Sequence, residues 1–237
     1  MTSSKQTPIL YQKSGACSLV PHALLYHLQA PFRAVPMAPD ANGKYAAADG
    51  SLTHDEYVKR IHPSGYVPAL DVGDGTIITE MPAVLNYIVN MAAGVEGGVN
   101  QQYADLVGRT ALEKAQVLKW LAWLSGTLHA QGFGALFRPA RFVGGREDIY
   151  PTVQDKGREI IRMAFERINK ALTGNQHLVG EHLTVADFNV YVFYRWGVQI
   201  GFDMAETYPE YTRVMRKVES LDGFKKAIEV EELKFLL

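Results

Sequence analysis

The chain has 237 residues, 47% hydrophobic and 21% charged, and its 24 basic and 25 acidic side chains leave a net charge of −1. At ~150 residues per domain this is one large or two small domains, and a disordered or collagen-like chain is excluded. The single cysteine, Cys17, excludes a disulfide scaffold and an all-cysteine zinc site, and the balanced charge gives no pull toward nucleic acid or an anionic membrane.

The opening MTSSKQTP is polar and does not read as a secretory leader. Apolar stretches are broken well short of the ~20 residues a membrane span needs. With one free thiol, these features point to a reducing cytosol. Pro8 to Tyr11 is a short strand, and Pro21 to Leu28 a helix with Ser18 or Leu19 near its cap. Phe32 to Val35 is a second strand. Residues 38–53 are rich in Ala, Gly and Asp and read as an exposed loop. His54 to Ile61 is a short helix. Val67 to Val72 and Thr76 to Thr79 are strands joined at Gly73-Asp74-Gly75, a hairpin signal. Met81 to Met91 is a helix with Pro82 in its first turn.

After residue 91 the texture changes. Residues 92–100 (AAGVEGGVN) read as a linker between a first domain, 1–91, and a helical domain, 101–237. In the latter, helices are expected from about Gln101 to Thr127, Val153 to Leu172, Thr184 to Gly197 and Tyr208 to Ser220. A short helix follows Asp222.

Four constellations bear on chemistry. Ser14-Gly15-Ala16-Cys17-Ser18 lies between a strand and a helix, where backbone N–H groups favour an anion. Such a place lowers a thiol pKa, or it simply holds a small buried Cys beside a capping Ser. In Tyr66-Val67-Pro68-Ala69-Leu70, a cis peptide at Pro68 would turn the Val67 backbone toward a ligand, while an edge-strand Pro is the plain alternative. In Thr79-Glu80-Met81-Pro82, Glu80 can pair with an ammonium group and the Met81 N–H can receive a carboxylate; helix capping alone accounts for the same pattern. Thr184-Val185-Ala186-Asp187 is a capping box and is structural.

Together, YQKSGACSLVPHALL at 11–25, HPSGYVPALDVGDGTIITEMPAVLNYI at 62–88 and GEHLTVADF at 180–188 resemble the soluble glutathione transferases. The Gly-Ala-Cys-Ser-Leu run and LHAQGFGALFRP at 128–139 are most similar to the bacterial beta class. The resemblance implies an α/β thioredoxin-like domain followed by an all-α domain. It implies glutathione as ligand, no metal, and a homodimer with neither nucleic acid nor membrane as partner. It places Cys17 or Ser18 at the glutathione sulfur, Val67 and Pro68 at its cysteinyl backbone, Glu80 and Met81 at its γ-glutamyl end, and His129 near the thiol. Asp187, with Thr184, would serve folding. This chain departs from the pattern at Met81, at His62, where Asn is frequent, at Ala130, where Lys is frequent, and in the insert at 38–53.

The implied chemistry is attack by glutathione thiolate on a small hydrophobic electrophile in a cleft between domains, and Tyr11, Phe133, Phe137, Phe142 and Tyr194 are candidate walls. Lowering a thiol pKa by two units takes about 2.7 kcal/mol, within reach of a helix N-terminus and one or two hydrogen bonds. A lean to Ser18 as the activating group follows because a covalent Cys17 adduct would consume the thiolate. Two alternatives stand beside conjugation: glutathione-dependent cis–trans isomerisation, and a non-catalytic ligand-binding or dimerisation module.

Overall fold

The computed structural model describes residues 6–94 and 100–237. The chain divides into two compact units. The first runs to Asp105 and takes back Glu219–Leu237; the second is Leu106–Val218. The expected single division is therefore corrected, because the last helix returns to the first unit. Residues 95–99 of the expected linker lie outside the described residues.

The first unit contains β1 (Ile9–Gln12), α1 (Leu19–His27), β2 (Arg33–Pro39), β3 (Tyr45–Ala47), α2 (His54–Arg60), β4 (Ala69–Asp71), β5 (Ile77–Ile78), α3 (Met81–Ala92) and a short α4 (Gln101–Ala104). The sheet order is β3-β2-β1-β4-β5. β1 and β2 are parallel across α1, with Tyr11 opposite Val35, and the other pairs are antiparallel. The stretch expected to be loop at 38–53 thus supplies β3, with Ala47 opposite Met37. Its turn is tied by the Asp40 carboxylate, which accepts the Asn42 and Lys44 amides at 2.8 and 2.9 Å. Three Ala/Tyr residues carry too little apolar area to signal a strand; pairing to β2 and burial of Ala47 and Leu52 supply what propensity lacks.

Tyr11, Val35, Met37, Tyr57, Ile61 and Ala69 form the core on the α2 side of the sheet. By strand alternation Leu10 and Leu70 point to the opposite face, and Leu24, Leu25, Val84, Leu85 and Ile88 of α1 and α3 are likewise fully buried.

In the second unit the expected helix from Gln101 to Thr127 is broken. A turn of tight helix at Asp105–Val107 ends it, and α5 (Ala111–Trp123) restarts from a capping box between Thr110 and Glu113. α5 runs on into a π-helical stretch, Leu124–Phe133. Then come α6 (Gly134–Phe137), α7 (Ala140–Val143), α8 (Tyr150–Leu172), α9 (Val185–Gln199), α10 (Met204–Thr207) and α11 (Pro209–Glu219). Phe133 stacks on Phe193 at 5.8 Å and meets Trp196 edge-on at 5.0 Å, forming one aromatic core.

The last helix, α12 (Asp222–Val230), packs along α1 in the first unit. A Cβ on Gly223 would lie 2.3 Å from the Ala23 carbonyl oxygen and 2.6 Å from His27 Cβ, so only glycine allows this approach.

Candidate functional site

β1 delivers the chain into a turn, Lys13–Ser18, that opens α1. The Ala16 N–H donates to the Lys13 carbonyl at 3.0 Å, and Gly15 takes φ +69°, a conformation that glycine adopts without steric cost. Cys17 is buried at 7% exposure, and its thiol donates to the Val67 carbonyl at 3.3 Å. Ser18 points elsewhere. Its hydroxyl accepts the Lys13 N–H at 3.0 Å and donates to the Lys13 carbonyl at 3.2 Å, with no exposed surface. The donor and acceptor of Ser18 thus both close the turn, unlike the thiol-facing placement the lean to Ser18 expected, and Cys17 is the group that faces Val67.

The Val67–Pro68 peptide is cis. The segment before it is held at several points. The Tyr57 hydroxyl donates to the Tyr66 carbonyl at 2.7 Å, and the Gly65 N–H donates to the His62 carbonyl at 2.7 Å. His62 Nδ1 accepts the Ser64 N–H at 3.2 Å, and the His62 and Tyr66 rings lie 5.6 Å apart. His62 thereby does what an Asn side chain does in such a turn, accepting the amide two residues on. Burial, outweighing the nearby Glu80 carboxylate, lowers the His62 pKa, consistent with an uncharged ring that accepts at Nδ1.

Glu80 immediately precedes α3 with φ 66° and ψ 119°, an uncommon backbone for a non-glycine residue. It is exposed. Met81 is buried at 8% exposure, so its thioether belongs to the core. As the first residue of α3 it has an N–H with no partner inside the helix.

The remaining candidates lie in other surroundings. Tyr11 is a core residue of the first unit, edge-on to Tyr57 at 5.4 Å. Tyr194 is fully buried in the second unit, its hydroxyl donating to Thr212 Oγ1 at 3.2 Å. Phe133 is also fully buried. These three are corrected from pocket walls to core; the sheet and the helix packing bury their faces. Phe137 and Phe142 are exposed at 48% and 49% and stay open to a ligand.

His129 sits on the π-helical stretch, 5.2 Å from the Trp196 ring and 5.8 Å from Phe193. Burial first, then the Arg141 and Arg138 guanidinium groups, pull its pKa down to about 4. Its imidazole is therefore neutral at neutral pH and brings no positive charge to a thiolate.

Asp187, on α9, is fully buried and accepts the amides of Leu178 and Thr184, each at 2.8 Å, and the Thr184 hydroxyl at 3.0 Å. No group of three or more His, Cys, Asp or Glu fit to hold a metal occurs among the described residues. Among them, too, no helix is long and apolar enough to cross a membrane.

Two residues at the site escaped sequence reasoning. His62 read only as a departure from Asn, although an acceptor two residues before an amide was the available signal. Glu231 lies 216 residues from the Gly15 amide it accepts, and nothing local announces it.

Comparison with known proteins follows the same lines. The Glutathione S-transferase, C-terminal domain family matches residues 135–222. The chain is 27% identical over 225 residues to glutathione S-transferase GstA of Escherichia coli O157:H7, covering 95% of this chain and 99% of that one. Its fold matches a sphingomonad glutathione S-transferase complexed with glutathione, at TM-score 0.77 and 28% identity over 95% of this chain and 100% of that one. It matches a beta class glutathione S-transferase of Sphingomonas chungbukensis equally well, at TM-score 0.77 and 27% identity over the same shares.

Proposed function

This chain belongs to the glutathione S-transferase family of enzymes, and we propose that its first unit holds glutathione with the sulfur against Cys17 and the cysteinyl backbone along Val67. In this reading Glu80 meets the γ-glutamyl ammonium and the Met81 N–H its carboxylate. The bound thiolate attacks a carbon of a small hydrophobic electrophile, and the carbon's leaving group departs with the electron pair. The working form is a cytosolic homodimer, as the family resemblance implies.

The observation that carries the reading is the 3.3 Å contact between Cys17 Sγ and the Val67 carbonyl. A thiol donor and the backbone of the residue before Pro68 lie side by side at the start of α1, where the helix dipole favours an anion. A thiolate there is stabilised by a charge-assisted hydrogen bond, weaker from S–H than from O–H.

Two variants separate Cys17 from Ser18. Cys17→Ala is expected to lower kcat/KM for conjugation of a generic aryl halide by roughly tenfold, about 1.4 kcal/mol, and to abolish any glutathione adduct in intact-mass analysis. Ser18→Ala is expected to keep turnover per folded molecule within about threefold while losing ~1 kcal/mol of stability, because two bonds to Lys13 disappear. A dead Ser18→Ala that melts like the parent would return the role to Ser18.

Glu80→Ala is expected to weaken glutathione binding by roughly threefold to tenfold in calorimetry. The contact is an exposed ion pair, so ~1 kcal/mol is its proper scale. Unchanged affinity in the folded variant would remove Glu80 from the site.

A further inference from the structure

The turn that carries Cys17 is gripped by a residue from the far end of the chain. Glu231 closes α12 and is buried at 5% exposure. One carboxylate oxygen accepts the Gly15 N–H at 2.9 Å, and the other faces His22 Nδ1 at 2.8 Å. Its backbone carbonyl accepts the Ser14 hydroxyl at 2.7 Å. The pair with His22 is wholly buried, and His22 Nε2 has no partner, so Nδ1 is the donor to the carboxylate. The His22 ring is itself held by Tyr26 and Phe32, at 5.0 and 5.6 Å.

The segment after Glu231 is fastened too. Glu232 takes φ 54°, which turns the chain so that the Leu233 N–H donates back to the Ile228 carbonyl at 2.9 Å. Leu233 then covers Gly15, its Cδ2 lying 3.5 Å from where a Cβ on that glycine would stand. The Leu236 and Leu237 amides reach the Glu219 carboxylate at 3.1 and 2.7 Å. Two consecutive residues of the thiol turn, Ser14 and Gly15, thus bond to one buried side chain and its carbonyl. Cys17 follows two residues later.

We propose that Glu231 is a positioning residue for Cys17: it clamps the Lys13–Ser18 turn and so sets where the thiol lies against Val67. A carboxylate serves where a shorter or apolar side chain would not, because it accepts from the turn and from helix α1 at once. That ties the turn to the helix it opens. The effect of the clamp on catalysis rests on the reading of Cys17 as the glutathione contact; its effect on the thiol does not.

Cys17 is the only cysteine in the chain, so alkylation by iodoacetamide without glutathione reads its exposure and geometry alone. Glu231→Ala is expected to raise the alkylation rate at least about fivefold, and Ser14→Ala about twofold to threefold. Glu231→Gln, whose amide oxygen still accepts from Gly15 and whose NH2 meets His22 in its other tautomer, should stay within about twofold of the parent. In steady-state kinetics, Glu231→Ala should raise KM for glutathione at least about fivefold and leave KM for the electrophile within about twofold. If Glu231→Ala does not fold, Ser14→Ala carries the test, since its side chain is exposed. Parent-like alkylation in a folded Glu231→Ala, or in Ser14→Ala, overturns the proposal, and so does a Gln variant that behaves like Ala. Faster alkylation with an unchanged KM for glutathione supports the clamp and counts instead against Cys17 as the glutathione contact.

Discussion

Asp187→Ala is expected to lower the stability of the second unit by ~3–5 kcal/mol, because three donors would lose their acceptor in a site with no solvent access. The Leu178 amide, the Thr184 amide and the Thr184 hydroxyl all end on this carboxylate. Each orphaned buried group costs roughly 1–3 kcal/mol, with partial relief where water enters the space left behind. Against a total stability of 5–15 kcal/mol for a typical domain this is a large share, equivalent to a melting shift of about 10 °C. Calorimetric melts of the parent and of Asp187→Ala read it directly. Asp187→Asn should fall between, since an amide keeps one acceptor but sets an NH2 against the Thr184 donors. Glutathione affinity of the folded fraction should stay within about twofold, because Asp187 belongs to the second unit and the thiol turn to the first. A variant that melts with the parent yet has lost turnover would make Asp187 a functional residue instead.

Acidification is expected to remove about 3 kcal/mol of stability through His129 alone. Its folded pKa is about 4, against an unfolded value near 6.5. Between those values the unfolded chain binds a proton that the folded protein refuses, so stability rises with pH through this window and falls as pH drops through it. Above about 6.5 both states are neutral and the contribution is fully present; near 4 it is gone. The span of about 2.5 units, at 1.36 kcal/mol each, sets the size. Denaturant titrations at pH 7.5 and 4.5 test this against His129→Gln, which cannot titrate. The variant's deficit relative to the parent should shrink by roughly 2–3 kcal/mol at the lower pH. Parallel losses in both proteins would mean that the Trp196–Phe193 surroundings do not hold the ring neutral.

Much of the local structure was legible before folding. The Gly73-Asp74-Gly75 turn, Pro82 opening α3 and the Thr184–Asp187 box each act within four residues, and each stands where the pattern put it. Helix ends at Gly108 and Thr110 were less legible, because Trp120 and Trp123 continue one apolar face and mask the interruption. β3 was hidden for another reason. Its few small residues carry no strand signal of their own and become a strand only on the edge of β2.

The sequence by itself determined most of the element types and the capping boxes and turns between them, since these depend on near neighbours and on residue chemistry, whereas β3 and the return of α12 to the first unit came only with folding. Which of the two side chains faces Val67 was decided only by tertiary structure. Cys17 and Ser18 are adjacent and chemically alike, and Val67, 50 residues from Cys17, picks out one while Lys13 occupies the other. Tyr11, Phe133 and Tyr194 look like pocket aromatics in one dimension and are core in three, because burial is a property of the faces that meet them. Glu231 is the extreme case: an acidic residue among acidic residues near the end of the chain, it acquires a partner 216 positions away only when α12 lies down along α1. No periodicity or local motif encodes a contact of that separation; it exists only because packing of the apolar faces of two helices brings both ends of the chain to one place.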